Sequence, residues 1–291
     1  MSKESALIDA MRALATHPAA RALADDCAVL DFGSEALVLT HDMMVEGVHW
    51  LPGQDMADVA WKLVATNLSD LAAKGAEPVG ILLGFTLGHD DARFVEGLRE
   101  ALTAFDVPLL GGDTVSANGP RSLGLTALGR ATHRPPPSRG GASPGDSLWL
   151  TGAVGAAMLG FEALRDCTDA DSTAFRRPTP RLAEGRALAP LVTAMMDVSD
   201  GLLFDASRMA DASDITFAIT TAEVPFPPGL HPARRGAAMR WGDDYELLFT
   251  LPAGVQPPLP AFHIGEALSR TPASVMLDAA EPSGPLGYAH D

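Results

Sequence analysis

Apolar residues recur along this chain with two different periods. Over 56–75, Val59, Ala60, Leu63, Val64, Leu68, Leu71 and Ala72 fall three and four apart, which predicts a helix with one buried face and a stop at Gly75. Similar spacing predicts a helix over 91–105, with Phe94, Leu98, Ala101 and Leu102 inward, and a short one over 4–16, carried by Leu7, Ile8, Met11 and Leu14. Helices are also expected at 156–164, 181–188 and 201–212. Short apolar runs predict strands at 28–30 and 36–40 around a turn at 31–34. Further strands are expected at 79–87, 107–110, 123–130, 147–151, 215–220, 246–251 and 263–265. The Pro-rich pieces 225–232 and 252–260 read as loops, and the weakly periodic last fifteen residues are expected to wrap the surface.

The strongest linker signal is 134–146, where Pro135, Pro136 and Pro137 precede Gly140 and Gly141. It predicts two domains, 1–137 and 138–291. Helices and strands mix in both, without a clean repeat of strand, helix, parallel strand. The expected class is therefore α+β, built as two α/β domains.

Composition narrows the function. With 47% hydrophobic and 20% charged residues, the 291-residue chain reads as globular and soluble. Its net charge of −16 argues against nucleic acid and anionic membranes, which need a basic footprint. The start of the chain lacks the pattern of a signal peptide, and no stretch is long and apolar enough to span a membrane. Two cysteines far apart, Cys27 and Cys167, fit a reducing compartment, so a cytoplasmic location is expected.

Against this acidic background, seven aspartates stand in short turn-rich segments: Asp25, Asp26, Asp42, Asp70, Asp113, Asp197 and Asp200. Most follow an apolar run that reads as a buried strand. Carboxylates at strand ends can converge on one cleft, where they repel unless cations lie among them. Mg2+ is the usual cation when phosphates are the other ligand. Singly, each segment has an ordinary reading too. Asp70 reads as a helix-surface partner of Lys74. Ser199 or Asp200 reads as the cap of the helix from Gly201. Gly111-Gly112-Asp113-Thr114 reads equally as an Asx turn or as a close backbone approach to a ligand. Gly152-Ala153-Val154-Gly155 reads as a tight strand-to-helix turn or a phosphate cradle. No Walker-type G-x-x-x-x-G-K-[ST] loop is present, and no spacing suggests a covalent nucleophile.

The joint pattern is more specific. Asp25-Asp26-Cys27-Ala28, Val45-Glu46-Gly47-Val48-His49, Asn67-Leu68-Ser69-Asp70, Gly111-Gly112-Asp113-Thr114, Asp197-Val198-Ser199-Asp200-Gly201 and Gly242-Asp243-Asp244-Tyr245 occur in this order. Together they resemble the thiamine-monophosphate kinases of the aminoimidazole-ribonucleotide-synthetase-like superfamily, from about residue 20 to the end. The resemblance implies a homodimer whose N-terminal sheets combine into a barrel. It also implies ATP-dependent phosphorylation of thiamine monophosphate to thiamine diphosphate, with several Mg2+ ions. Asp26, Asp42, Asp70, Asp113, Asp197 and Asp200 match the metal ligands, of which Asp42, Asp113 and Asp200 are expected to be most critical. Thr40 and the backbone at His41 match further metal contacts. Gly112, Asp113, Arg139 and Ser199 match ATP-binding positions, and His49, Asp243 and Pro285 match positions on the acceptor side.

The chain departs from the family pattern at several of these places. Ala22 and Ala24 replace glycines, His41 replaces a threonine, Asp243 replaces a glutamate, and Pro285 stands near where an aromatic is usual, with Tyr288 as a substitute. The departures leave the metal core intact and fall largely on the acceptor side. The alternative reading is another ATP-using member of the superfamily, or a Mg-ATP-binding relative with an altered acceptor.

Overall fold

The computed structural model describes residues 3–12 and 14–289. Helix α1 (Lys3–Arg12) precedes a 3-10 turn at Pro18–Leu23. Residue 13, within the helix expected over 4–16, lies outside the described residues. The chain then forms the hairpin β1 (Ala28–Phe32) and β2 (Glu35–Val45), helix α2 (Met56–Ala73), strand β3 (Ala76–Thr86), helix α3 (Asp91–Ala104), and strands β4 (Leu109–Val115) and β5 (Ser122–Ala131). The five strands make one open sheet in the order β1-β2-β5-β3-β4. Only β3 and β4, joined through α3, run parallel.

Period-two burial sorts the sheet into faces. In β2, Val38, Thr40 and Met44 are buried while His41 and Met43 are exposed. The buried side packs Val38, Met44, Ile81, Leu123, Leu125 and Ala127 against Val59, Leu63, Leu68 and Leu71 of α2 and Phe94 and Leu98 of α3. Apolar side chains stay exposed on the sheet, among them Met43, Leu82, Leu110 and Val115.

The second half contains β6 (Ser147–Leu150), α4 (Ala156–Arg165), α5 (Thr173–Arg176), α6 (Leu182–Leu188), β7 (Ala194–Asp197), α7 (Leu202–Ser213), β8 (Ile215–Ile219), α8 (Arg235–Trp241), β9 (Leu247–Leu251), β10 (Phe262–Ser269) and β11 (Val275–Leu277). Its six strands run in the order β11-β8-β10-β6-β9-β7. A second core holds Leu148, Met196, Leu203, Phe217, Leu248 and Ile264. The architecture is two α+β halves, with β5 ending at Ala131 and β6 beginning at Ser147.

Three differences from the sequence expectation have clear causes. Strand β7 was not expected, because Ala-Met-Met-Asp carries no β-branched residue. It is an edge strand buried by α2, whose Ala72 and Ala73 share a cluster with Met195, Leu247 and Phe249. Helices α5 and α8, with four and seven residues, are too short to show a period. Gly111-Gly112-Asp113-Thr114 is not a turn but the middle of β4, an edge strand exposed along its whole length.

Helix α2 is held on both sides by close approaches. A Cβ on Gly97 of α3 would lie 2.2 Å from the Ala57 carbonyl oxygen, and one on Gly185 of α6 would lie 2.0 Å from that of Ala72. Neither backbone oxygen can move aside without disturbing α2. Gly97→Ala is therefore expected to cost about 2–3 kcal/mol in urea or thermal unfolding. Gly236→Ala in α8, where a Cβ would meet the tip of Arg240 at 3.6 Å, is expected to be neutral or to stabilise by about 0.5–1 kcal/mol.

Candidate active site

The site is built around α2. Sixteen of its eighteen residues are buried, so each polar side chain on it needs a partner. Asp55 caps its start by accepting from the Ala57 N–H at 3.0 Å. Asn67, wholly buried, accepts the Asp42 N–H at 3.0 Å and donates to the Leu63 carbonyl at 2.9 Å. It thereby ties strand β2 to the helix at the residue of interest. Asp70 accepts from the Thr40 hydroxyl. Ser69 donates to Asp197 Oδ2 at 2.6 Å, reaching the end of β7 in the other half of the chain. One helix thus orients acids from both sheets.

Asp26, Asp70 and Asp197 converge, each offering a carboxylate oxygen within 4.8 Å of the others. Asp42 and Asp200 border them. Burial, then the charges of Asp26 and Asp200, pushes Asp42 up to about 6. Burial, then Asp26, pushes Asp197 up to about 7. Asp70 is raised well above the ordinary carboxylate range by burial and by Asp42, Asp197 and Asp26. These shifts record burial first and the crowding of like charges second.

The protein's own cations are gathered on one flank. Lys74, fully buried, donates to Asp25 Oδ1 and Asp26 Oδ2 at 2.5 Å each. Burial works against its charge, but Asp26 and Asp25 overcome this and raise its pKa. Asp25 also pairs with Arg21. Burial alone would raise Asp25, yet Lys74 and Arg21 hold it below the usual range. Arg139 Nε donates to Asp26 Oδ1 at 2.7 Å. The expected pair of Asp70 with Lys74 does not form. Lys74 bends to the β1 end, and Asp70 is left facing other acids.

At the start of α7, no side chain caps the helix, contrary to the expectation for Ser199 or Asp200. The bonding runs the other way. Asp205, one turn in, accepts the backbone N–H groups of Ser199 and Asp200 at 3.0 Å each. Asp200 itself pairs with Arg208 at 2.6 Å. The C-terminal tail docks here, with the Tyr288 N–H donating to the Asp200 carbonyl at 3.0 Å.

Other candidates lie apart from the cluster or beside it. Asp113 and Gly112 sit on β4, three strands from β2, a separation of about 14 Å at the usual strand spacing. Within one chain Asp113 therefore does not join Asp42. The His41 side chain is exposed and bonds Thr126 Oγ1 at 2.9 Å, leaving only its backbone on the Thr40–Asp42 stretch. His49 Nδ1 accepts the Val45 N–H at 3.0 Å. Asp243 pairs with Lys62 at 2.9 Å and accepts from the Tyr245 hydroxyl at 2.8 Å. Burial, then Asp243, raises the Tyr245 pKa, with smaller contributions from Asp42 and Asp197. Asp243 and the acid cluster thus belong to one polar region. Pro285 is exposed, and its carbonyl accepts from Arg240 Nε at 3.0 Å. Gly155 heads α4 but is no cradle: both oxygens of Asp244 lie 2.9 Å from its N–H. Ala22 has φ 55° and is flanked by Arg21 and Leu23 at 47° and 52°. Ala22 therefore sits in the left-handed region that favours the glycine it replaces, whereas Ala24 has an ordinary φ of −117°.

Sequence reasoning missed Lys62, Asn67, Ser69 and Asp205 as parts of this region. The available signal was polarity inside an apolar helix: Lys62, Asn67, Ser69 and Lys74 all lie within or just after α2, where no solvent reaches.

Two family profiles match this architecture: AIR synthase related protein, N-terminal domain, over residues 24–131, and AIR synthase related protein, C-terminal domain, over 143–256. The chain is 38% identical to thiamine-monophosphate kinase of Escherichia coli K12 over 253 residues, covering 79% of this chain and 76% of that protein. It is 41% identical to thiamine-monophosphate kinase of Caulobacter vibrioides over 250 residues, covering 79% and 71%. A solved structure of AaThiL complexed with AMPPCP and TMP superposes with a TM-score of 0.86 at 27% identity, over 96% of this chain and 94% of that one. A cluster of buried aspartates gathered by one helix, within two domains of this type and at this level of identity, places the chain in the thiamine-monophosphate kinase family.

Proposed function

We infer that this protein phosphorylates thiamine monophosphate to thiamine diphosphate with ATP. The observation that carries the reading is the buried cluster of Asp26, Asp70 and Asp197, with Asp42 beside it, in a chain of this family. The acceptor phosphate is an anionic nucleophile at neutral pH, so no strong general base is required. The task is to bring two anions together and hold them in line.

The donor set suits Mg2+: the converging atoms are hard carboxylate oxygens, and burial together with neighbouring acids raises Asp70 and Asp197, so a cation among them would be welcome. Asp26, Asp42, Asp70, Asp197 and Asp200 would hold the ions, with Thr40 and the backbone at His41 adjoining. Bound Mg2+ supplies charge neutralisation for the phosphates and the transition state. Arg139 and Lys74 each hold one carboxylate oxygen of Asp26 and so fix its orientation. Ser199 and Gly112 are assigned to ATP, together with Arg139, whose fork suits a phosphate. His49, Asp243 and Pro285 are assigned to the acceptor side.

Asp113 supports a homodimer. Strand β1 pairs only with residues 35–39 of β2, so the edge of β2 from Thr40 to Val45 is open beside the site. The outer edge of β4 is open as well. Joining the β4 edge of one protomer to the β2 edge of another would close two open sheets into a barrel, cover exposed apolar side chains and bring a second protomer's Asp113 to Asp42. Domains of 1–137 and 138–291 and a cytoplasmic location complete the reading. Both cysteines are free, and no helix among the described residues is long and apolar enough to cross a membrane.

Three outcomes test this. In an ADP-release assay with thiamine monophosphate, Asp42→Asn is expected to lower kcat by about a thousandfold with the melting temperature retained. A purified wild-type protein without turnover would sink the reading. Co-expression of Asp42→Asn with Asp113→Asn is expected to restore about a quarter of the wild-type activity, because half of randomly formed dimers then carry one intact shared site; no recovery means that Asp113 acts within its own chain or not at all.

The third test is pH dependence. Asp42 and Asp197, at about 6 and about 7, are protonated at pH 5 and ionised at pH 8, and protons compete with cations for the same oxygens. Mg2+ is expected to raise the melting temperature clearly at pH 8 and little at pH 5. Without metal the sign reverses. These folded pKa values lie above the model-compound value of 3.8, so the cluster's contribution is present at low pH and fades as pH rises through 6 to 7. Thermal melts with Mg2+ and with chelator at both pH values read both effects.

A further inference from the structure

Lys62 differs from the charges of α2 that serve the acid cluster. Its side chain is 1% exposed, and its ammonium donates to the His49 carbonyl oxygen at 3.1 Å and to Asp243 Oδ2 at 2.9 Å. It also lies 3.8 Å from the centroid of the Phe175 ring. An ammonium in so dry a place is unfavourable unless its donors are fully used. Here they are used by groups from separate parts of the chain: the loop after β2, the short helix α5 and the turn after α8.

That turn is a conformation that needs holding. Asp243 and Tyr245 have φ values of 59° and 52°, in the left-handed region. The backbone is fixed by the Asp243 N–H donating to the Ser199 carbonyl and the Tyr245 N–H to the Val198 carbonyl, each at 2.8 Å. The Asp243 carboxylate is fixed by Lys62 on one oxygen and by the Tyr245 hydroxyl on the other. The His49 ring is in turn set by the Val45 N–H. A single ammonium therefore sets the spacing between His49, from the N-terminal half, and Asp243, from the C-terminal half.

We propose that Lys62 is the positioning residue of the acceptor half of the site: it holds His49 and Asp243 at one spacing and cancels the Asp243 charge, which would otherwise repel a phosphate-bearing acceptor. The inference rests on the kinase reading and on the placing of His49 and Asp243 at the acceptor side. Of the residues assigned to ATP, Ser199 meets this group through its backbone carbonyl, which accepts from the Asp243 N–H; the Lys62 ammonium bonds His49 and Asp243.

The test uses the full chain with saturating Mg-ATP and varied thiamine monophosphate, alongside calorimetric titration of Mg-ATP. Lys62→Gln, which keeps a donor but loses the charge, is expected to raise the acceptor KM about tenfold or more while Mg-ATP affinity stays within about twofold. Lys62→Arg, which keeps the charge, is expected to stay within about threefold of the wild-type KM. An unchanged acceptor KM in Lys62→Gln overturns the proposal. So does a parallel loss of acceptor and Mg-ATP binding with a fallen melting temperature, which marks a merely structural lysine. Should Lys62→Gln not fold, Lys62→Arg decides alone, and a KM rise beyond about tenfold overturns it. A wild-type protein that does not turn over thiamine monophosphate fails the kinase reading itself, before Lys62 enters.

Discussion

Everything in this molecule turns on burying a helix that carries charged and polar side chains among its apolar ones. Helix α2 lies between the N-terminal sheet and the C-terminal half, and its charges have no solvent to retreat to. Most are answered by opposite charges from elsewhere in the chain: Asp58 by Arg176 and Arg177, Lys62 by Asp243, and Lys74, just past the helix end, by Asp25 and Asp26, whereas Asp70 faces other acids and accepts from the Thr40 hydroxyl. An uncompensated charge there would cost several kcal/mol, so these pairs dictate how the two halves meet. Trp61 adds a neutral link of the same kind, donating to the Pro178 carbonyl at 2.9 Å. The active-site geometry is a by-product of this requirement, because the helix that must be satisfied on all sides is also the helix that carries Asn67, Ser69 and Asp70.

The arrangement is deliberately unbalanced in charge. Lys74 and Arg139 neutralise Asp25 and Asp26 on one flank, while Asp70 and Asp197 accept from the neutral hydroxyls of Thr40 and Ser69, and Asp42 is held through its backbone N–H, which donates to Asn67. Neutral donors orient a carboxylate without removing its charge. Acids whose protein donors are neutral are suited to receiving cations from outside. This also resolves how an acidic chain can serve an anionic co-substrate: the overall charge of −16 is a sum over the whole chain, whereas phosphate binding depends on local balance within a few ångströms.

Much of the fold was legible because it is governed by period. The stripe in α2, the alternation in β2 and the apolar run of β3 each reflect one buried face, and the observed spans depart from expectation mainly at their ends. Where burial came from a distant element, the reading failed. Strand β7 is hidden because α2 covers its edge, which nothing in Ala-Met-Met-Asp announces. The Asp70 to Lys74 pair was favoured by spacing alone, but a fully buried ammonium goes to the stronger arrangement of two carboxylates on β1's approach. Ser199 and Asp200 looked like helix caps, yet their N–H groups are bound by Asp205 from inside the helix.

By itself, then, the sequence determined the elements, the two-part organisation and the inventory of acids, since periodicity and motif order are local properties of the chain. The tertiary structure alone decided which acids meet. It brought Asp26, Asp70 and Asp197 from a turn, a helix and a strand end to within 4.8 Å, and it left Asp113 three strands away on an open edge. It also turned Lys62 from one lysine in a helix into the contact between His49 and Asp243. The physical reason is the same in each case: a charge's partner is chosen by distance and dielectric, and these are set by packing between segments as far as 181 residues apart.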